Sequence, residues 1–358
     1  MKIDKTSSER LSVLRFPLIV GVVFIHAYST EVGFSNGAVG TIDSGYLVGF
    51  MRDLISQGLA RLAVPLFFLL SGYFFFLNFY PSVENYIKKI KSRTNSLLIP
   101  FLFWNILTLL LIALAQYLPA TQSFFSGKNE PIITFGIYEY INAIFGIDRS
   151  PISYQFWFIR DLMVMVLFTP VISLILNKIP RLFLLVILVL WFFNFWPIYI
   201  PSVAAFLFFY SGAYFAHRKV SMFTLDRFGI LLMLSYSCVL LIDTFTKGDM
   251  VNSYIHNIGI LLGIASMLFA TRGIVGVNRA KRYLLWAGNC SFFVFAVHEP
   301  LLTVVKKVSY KILVPSSDVA ILLLYFLIPT IVIFTSIFLY MGMRNITPKF
   351  LSLVCGGR

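Results

Sequence analysis

Residues 11–28, LSVLRFPLIVGVVFIHAY, decide the fold class, because Arg15 and His26 are the only basic residues in a mainly apolar run with no acidic ones. A helix needs about 20 mainly apolar residues to cross a hydrocarbon core about 30 Å thick, since no water is present there to satisfy exposed backbone groups. Working outward from this run, comparable ones follow at Arg61 to Phe79, Leu97 to Tyr117, Phe156 to Asn177, Leu182 to Trp196, Val203 to Ala216, Phe228 to Phe245, Tyr254 to Thr271, Leu284 to Val304 and Val319 to Tyr340. The fifth and sixth runs are short and share FNFWPIYIPS (193–202), which reads as a hairpin of two helices. The pattern predicts an all-α, polytopic integral membrane protein with about ten transmembrane helices, forming a single domain over 1–358 with no separate soluble part.

The composition agrees: 59% of the 358 residues are hydrophobic and 12% are charged, which excludes an ordinary soluble domain. Mean hydropathy is +0.86. A formal charge of +14 invites a nucleic-acid reading, but the Lys and Arg residues sit in clusters between apolar runs rather than along one polar face. We therefore expect no nucleic-acid partner. Cys238, Cys290 and Cys355 are far apart and lack metal-ligand spacing, so neither a disulfide framework nor a metal site is expected. Although the basic start before an apolar run resembles a signal peptide, Arg15 interrupts it and no small-residue cleavage site follows His26. The first run reads as a retained helix.

Orientation follows from Lys and Arg in short loops near the helix ends. Lys2, Lys5 and Arg10 precede the first run; Lys88, Lys89, Lys91 and Arg93 follow the second. Lys178 and Arg181, then Arg218, Lys219 and Arg227, then Arg272, Arg279, Lys281 and Arg282 fill later alternate connections, with Arg344, Lys349 and Arg358 at the end. This places the clusters, and both termini, in the cytoplasm. Lys306, Lys307 and Lys311 are the exception on the outer side. The outer connections Glu31 to Gly58 and Leu118 to Gln155 are too long for simple turns and read as lids or re-entrant segments.

Ionisable residues within apolar runs carry the functional information, because burying a charge in a bilayer costs several kcal/mol unless it is paired or hydrated. At about 1.5 Å per residue, His26 lies roughly 22 Å from the inner end of its helix and His298 roughly 21 Å from that of its own. Asp161 lies about 8 Å from the outer end of a helix running inward. The three depths match and suggest one polar cavity in the outer half of the membrane. Imidazole suits proton abstraction from a hydroxyl near neutral pH, and a carboxylate can orient it. The plainer alternative is hydrogen bonding between helices. Trp157 also suits an interfacial aromatic belt, and Ser71 with Gly72, like Gly259 with Gly263, suits close helix packing. Neighbours Arg160 and Asp161 diverge by about 100° on a helix and so need separate partners.

Five stretches carry a family resemblance: RLSVLRFPLIVGVVFIHAYS (10–29), PLFFLLSGYFF (65–75), LLIPFLFWN (97–105) after a basic run, FWFIRDL (156–162) and GNCSFFVFAVHEPLL (288–302). In this order they resemble the membrane acyltransferase 3 family over essentially the whole chain. The chain departs from the family at Ser12, where an Asp often stands, and at Arg93 with Asn95 and Ser96, where a paired Arg motif is reduced. The resemblance implies transfer of an acyl group, usually acetyl from cytoplasmic acetyl-CoA, to a hydroxyl of an envelope glycan or lipid-linked sugar such as lipopolysaccharide O-antigen. It implies a bacterial inner membrane and no metal. His26 would be the catalytic base or a transient acyl carrier, with Asp161 and His298 beside it. Arg15 and Arg93 would contact the acyl-CoA, and Trp157, Arg160 and Glu299 the acceptor. A secondary transporter or flippase, and a non-catalytic scaffold, remain alternatives; the former should show repeated halves with broken helices, and no repeat is visible.

Overall fold

The computed structural model describes residues 4–41, 45–77, 79, 82–127 and 130–357. Lys2 and Arg358, assigned above to the inner clusters, lie outside them. Among the described residues, seven helical stretches are long and apolar enough to cross a membrane: Lys5–Ala27, Tyr46–Phe76, Val83–Tyr117, Thr224–Phe245, Asn252–Gly276, Asn278–Leu313 and Asp318–Ile346. An eighth arises if Tyr154–Leu167 and Thr169–Lys178, bent by 60°, are taken as one span. Pro180–Phe192 and Val203–His217 are shorter apolar helices. The chain is thus a polytopic, essentially all-helical membrane protein in which each expected apolar run holds a helix, with ends that differ by several residues, as at Leu182 to Trp196, where the helix stops at Phe192.

Prolines explain where those helices break. Pro17 has no N–H for the carbonyl four residues back, at Val13, and the first run divides there into Lys5–Ser12 and Arg15–Ala27. Pro170 deprives Val166 O of its helical donor, and Thr169 Oγ1 donates to that carbonyl instead, at 2.7 Å. Pro197 and Pro201 fall in the non-helical stretch between the two short helices.

Cα packing divides the chain into two compact units interleaved in sequence: Met1–Val22, Asp53–Thr94 and Asp161–Ser291 form one, and Val23–Arg52, Asn95–Arg160 and Phe292–Arg358 the other. In the first, Ala63–Phe76 crosses Val203–His217 at backbone contact. A Cβ on Gly72 would lie 2.0 Å from Phe209 O, and one on Gly212 1.9 Å from Leu69 O. Small residues thus set this crossing, as helix association without a hydrophobic drive requires. At the second small pair only Gly263 is tight, its Cβ falling 2.5 Å from Leu62, whereas Gly259 has ordinary contact with Val239.

Arg10 is a buried clamp of the same unit. Its Nη1 and Nη2 grip the Asp226 carboxylate at 2.6 and 3.1 Å, Nε donates to Thr271 Oγ1 at 2.9 Å, and Nη2 also donates to Leu268 O at 2.8 Å. The guanidinium stacks 3.6 Å above the Phe223 ring. A planar fork meets all of these partners at once, which an ammonium cannot. Arg10→Met is expected to lower unfolding stability in detergent by about 2–3 kcal/mol, less than for a fully buried pair because the Asp226 side chain stays 19% exposed. Thermal unfolding of the purified variant measures the loss.

The second unit carries the described part of the 118–155 connection and the beginning of the expected Glu31 to Gly58 connection, which is shorter than expected because from Tyr46 on the chain is helical and belongs to the Tyr46–Phe76 span. Strands β1 (Glu31–Phe34) and β2 (Gly37–Gly40) pair antiparallel with Phe34 opposite Gly37, leaving a two-residue turn at Ser35 and Asn36. The 118–155 connection packs Ile132 and Ala143 against Leu109 of the Ile99–Tyr117 helix, with Phe135, Tyr140 and Ile152 around them. Its helix Ile137–Phe145 stops at Gly146, whose φ of 67° is the left-handed conformation of a helix C-cap. The three outer lysines hold these pieces together: Lys306 donates to Ser29 O at 2.9 Å, Lys307 to Gly33 O at 3.1 Å and to Phe124 O, and Lys311 to Ser123 Oγ at 2.8 Å.

Candidate active site

The site in the second unit begins with a proline. In Asn278–Leu313, Pro300 has no N–H to offer Ala296 O, and Glu299 before it leaves the helical region at φ −115°, ψ 130°, the conformation that a following proline favours. The break frees carbonyls at the depth of His298. Gln155 takes two of them, its Nε2 donating to Ala296 O at 3.3 Å and to Glu299 O at 3.1 Å.

Gln155 is placed by the segment around it. Ser153 N donates to Asn105 Oδ1 at 3.1 Å, and Ser153 Oγ to Thr108 Oγ1 at 2.6 Å. Asn105, last residue of the LLIPFLFWN stretch, and Thr108 one turn on therefore fix the 153–156 turn against their helix. That turn aims Tyr154 at the first imidazole. The Tyr154 ring stands edge-on to His26 with centroids 4.7 Å apart, and its hydroxyl donates to Glu299 Oε1 at 2.8 Å. Glu299 Oε2 accepts from Thr303 Oγ1 at 2.8 Å.

His26 and His298 come together as expected, their rings stacked at 28° with centroids 5.4 Å apart. His298 is fully buried. Its Nδ1 lies 2.6 Å from Phe295 O, and a carbonyl only accepts, so the proton sits on Nδ1 and Nε2 presents a lone pair. That Nε2 has no hydrogen-bond partner among the described residues. His26 is partly accessible, and Tyr154 is 37% exposed, so the site is open at its tyrosine rim. Lys306, through Ala27 O at 3.4 Å and Ser29 O at 2.9 Å, places a cation at the C-terminal end of the helix that carries His26.

The other expected residues are placed differently. Asp161 belongs to the first unit, and its Oδ2 accepts from Ser202 N at 2.8 Å, just where the Val203–His217 helix starts. Its matching depth thus corresponds to an organising contact on a helix start. Arg160, in the second unit, donates to Gly146 O and to Arg149 O at 3.2 Å, fixing the outer loop rather than displaying its guanidinium to solvent. Adjacent Arg160 and Asp161 thus take separate partners. Trp157 opens the Trp157–Leu167 helix and is half-buried. Arg15 is exposed and lines, with Ser12, Leu285, Trp286, Gly288 and Asn289, an open cavity of about 390 Å³ in the first unit. Arg93 ends the amphipathic helix Val83–Arg93 and is partly exposed. No cluster of metal-ligating side chains occurs among the described residues.

Sequence reasoning missed Tyr154, Gln155, Thr303 and Lys306. One signal was available: the Glu-Pro dipeptide at 299–300 marks a helix break, and a break leaves carbonyls needing donors. The Tyr154→Phe variant keeps the ring on His26 but removes the donor to Glu299. The acyl transfer that the resemblance implies is expected to fall roughly tenfold, the scale of one hydrogen bond to a charged group, in an acyl-donor turnover assay.

No solved structure matches the chain. A similar protein is the succinoglycan biosynthesis protein ExoH of Rhizobium meliloti (strain 1021), 25% identical over 369 residues that cover 99% of this chain and 94% of that protein. Residues 9–341 match the acyltransferase domain of family 3, and with the match running from just before the buried Arg10 through the broken helix that holds His298, the chain belongs to the membrane acyltransferase 3 family.

Proposed function

We propose that this membrane acyltransferase transfers acetyl from acetyl-CoA to a hydroxyl of a cell-surface glycan, such as lipopolysaccharide O-antigen, in the bacterial inner membrane, with residues 1–358 acting as one acyltransferase domain. The observation that carries the reading is the stacked His26 and His298 pair, open at its Tyr154 rim, in a chain of this family. A glycan acceptor is supported by the succinoglycan biosynthesis named for the similar protein.

In the proposed step His26 takes the proton of the acceptor hydroxyl, and the oxygen attacks the thioester carbonyl. Collapse of the tetrahedral adduct breaks the C–S bond, and the proton leaves His26 for the CoA sulfur. His298 supports the ring of His26 with its own tautomer fixed by Phe295 O. Glu299 acts through Tyr154, keeping a carboxylate with further lone pairs beside the acceptor. Trp157 and Arg160 shape the outer approach, and Asp161, the carboxylate of the set, accepts from Ser202 N at the start of the Val203–His217 helix. Arg15 in its open cavity, and Arg93, supply the cations that CoA phosphates need; a guanidinium suits them because its planar donors engage oxygen pairs. With Arg15→Lys, anchoring at the membrane interface is expected to persist while the KM for acetyl-CoA rises.

Mass spectrometry of envelope glycans from cells expressing wild type or His26→Ala tests the whole reading. An added acetyl mass with wild type alone supports it. A different acyl mass would keep acyl transfer and replace the donor, and an unmodified envelope with well-expressed wild type would return the transporter or flippase reading.

A further inference from the structure

We propose that Gln155 binds the acceptor, its Oε1 together with His298 Nε2 receiving hydrogen bonds from two hydroxyls of one sugar residue. The inference rests on the glycan-acyltransfer reading and adds to it a residue and a demand on the substrate. Gln155 is 1% exposed and His298 fully buried. Gln155 Oε1 and His298 Nε2 both lack a partner among the described residues. Native proteins pair about nine in ten such atoms, so two unmet together at one break in a helix call for a partner.

Neither atom can be relieved by turning its group around. Carbonyls only accept, so Ala296 O and Glu299 O hold the amide with its NH₂ toward them and fix Oε1 as the other end. Phe295 O fixes the imidazole in the same way, with Nε2 as acceptor. These two constraints lie on the same broken turn, at residues 295, 296 and 299, so the amide and the ring are tied to one short stretch of backbone.

Two immobile acceptors call for a ligand with two donors. A phosphate or carboxylate would bring oxygen lone pairs against lone pairs and is disfavoured, as is an ether. A polyhydroxylated ring meets both demands, and Tyr154, 37% exposed, marks the open rim of the site beside them. A site built to hydrogen-bond a hydroxyl rejects an analogue that lacks it far more strongly than an apolar pocket rejects a missing methylene. Gln155 is therefore a specificity-determining residue as well as an anchor.

The test uses the full chain in nanodiscs with acetyl-CoA, and as probe the de-acylated envelope glycan from cells lacking the protein. CoA release is followed with and without glycan. Gln155→Lys keeps donors for Ala296 O and Glu299 O but has no acceptor. Its KM for glycan is expected to rise roughly tenfold or more, the loss of one well-placed hydrogen bond, while kcat at saturating glycan changes less. Mild periodate treatment, which cleaves neighbouring diols, is expected to remove acceptor activity for wild type. An unchanged KM in Gln155→Lys overturns the proposal. So does a variant that loses glycan-independent release and unfolding temperature together, since the role is then structural. If Gln155→Lys does not accumulate, Gln155→Met is measured in the same way. Wild type showing no glycan-dependent release overturns the acyl-transfer reading, and with it this one, whereas failure confined to the Gln155 variants leaves acyl transfer standing.

Discussion

His26→Ala is expected to reduce acyl transfer by about 10²–10⁴-fold, the range that a positioned general base contributes, while the protein still assembles in the membrane. The imidazole is only partly buried, with Tyr154 edge-on at 4.7 Å and His298 stacked at 5.4 Å, so truncation exposes little apolar surface. CoA release in nanodiscs gives the rate, and gel filtration with thermal unfolding reports integrity. Transfer at the wild-type rate by a well-folded His26→Ala protein would remove the imidazole from the reaction. His26→Gln separates two roles: a residue that only hydrogen-bonds the acceptor is partly replaced by the amide, whereas a base is not.

Gly72→Val is expected to have the largest effect on folding. The position has backbone, not a flexible side chain, against it: a Cβ would lie 2.0 Å from Phe209 O and 2.8 Å from Phe209 C. To reach an ordinary carbon–oxygen separation the two helices must part, and Gly212, 1.9 Å from Leu69 O by the same construction, shows that the contact is reciprocal. Overpacking of this kind costs about 1–3 kcal/mol even where neighbours can adjust, and here a β-branched side chain meets main chain. Little detergent-stable protein is expected, whereas Gly259→Ala, facing only ordinary contact with Val239, is expected to purify normally.

The helices were legible because the bilayer demands long apolar runs, and both imidazoles were legible because each interrupts one. Depth along a helix was readable as well, but depth gives no azimuth. Asp161 shares the expected depth of the histidines and yet accepts from the N–H of Ser202, the N-cap of a helix in the first unit, a contact forty-one residues further on that no periodicity announces. Tyr154 and Gln155 were hidden for a different reason. They sit in a polar connection, and they acquire their partners only once Asn105 and Thr108 anchor the turn and Pro300 opens the facing helix. Arg10 was read as a charge that marks the cytoplasmic side; its donors turn out to be committed to Asp226, Thr271 and Leu268.

The outer lysines carry a practical consequence for determining which way the chain faces. Lys306 and Lys307 are partly buried with their amines on backbone carbonyls, and only Lys311 of the three is exposed. An amine-reactive, membrane-impermeant reagent applied to intact cells will therefore report chiefly on Lys311. Sparse labelling of Lys306 and Lys307 would reflect engaged nitrogens rather than a cytoplasmic address. A sidedness assay should instead compare Lys311 with the exposed Lys88 and Lys91, which lie on the Val83–Arg93 helix.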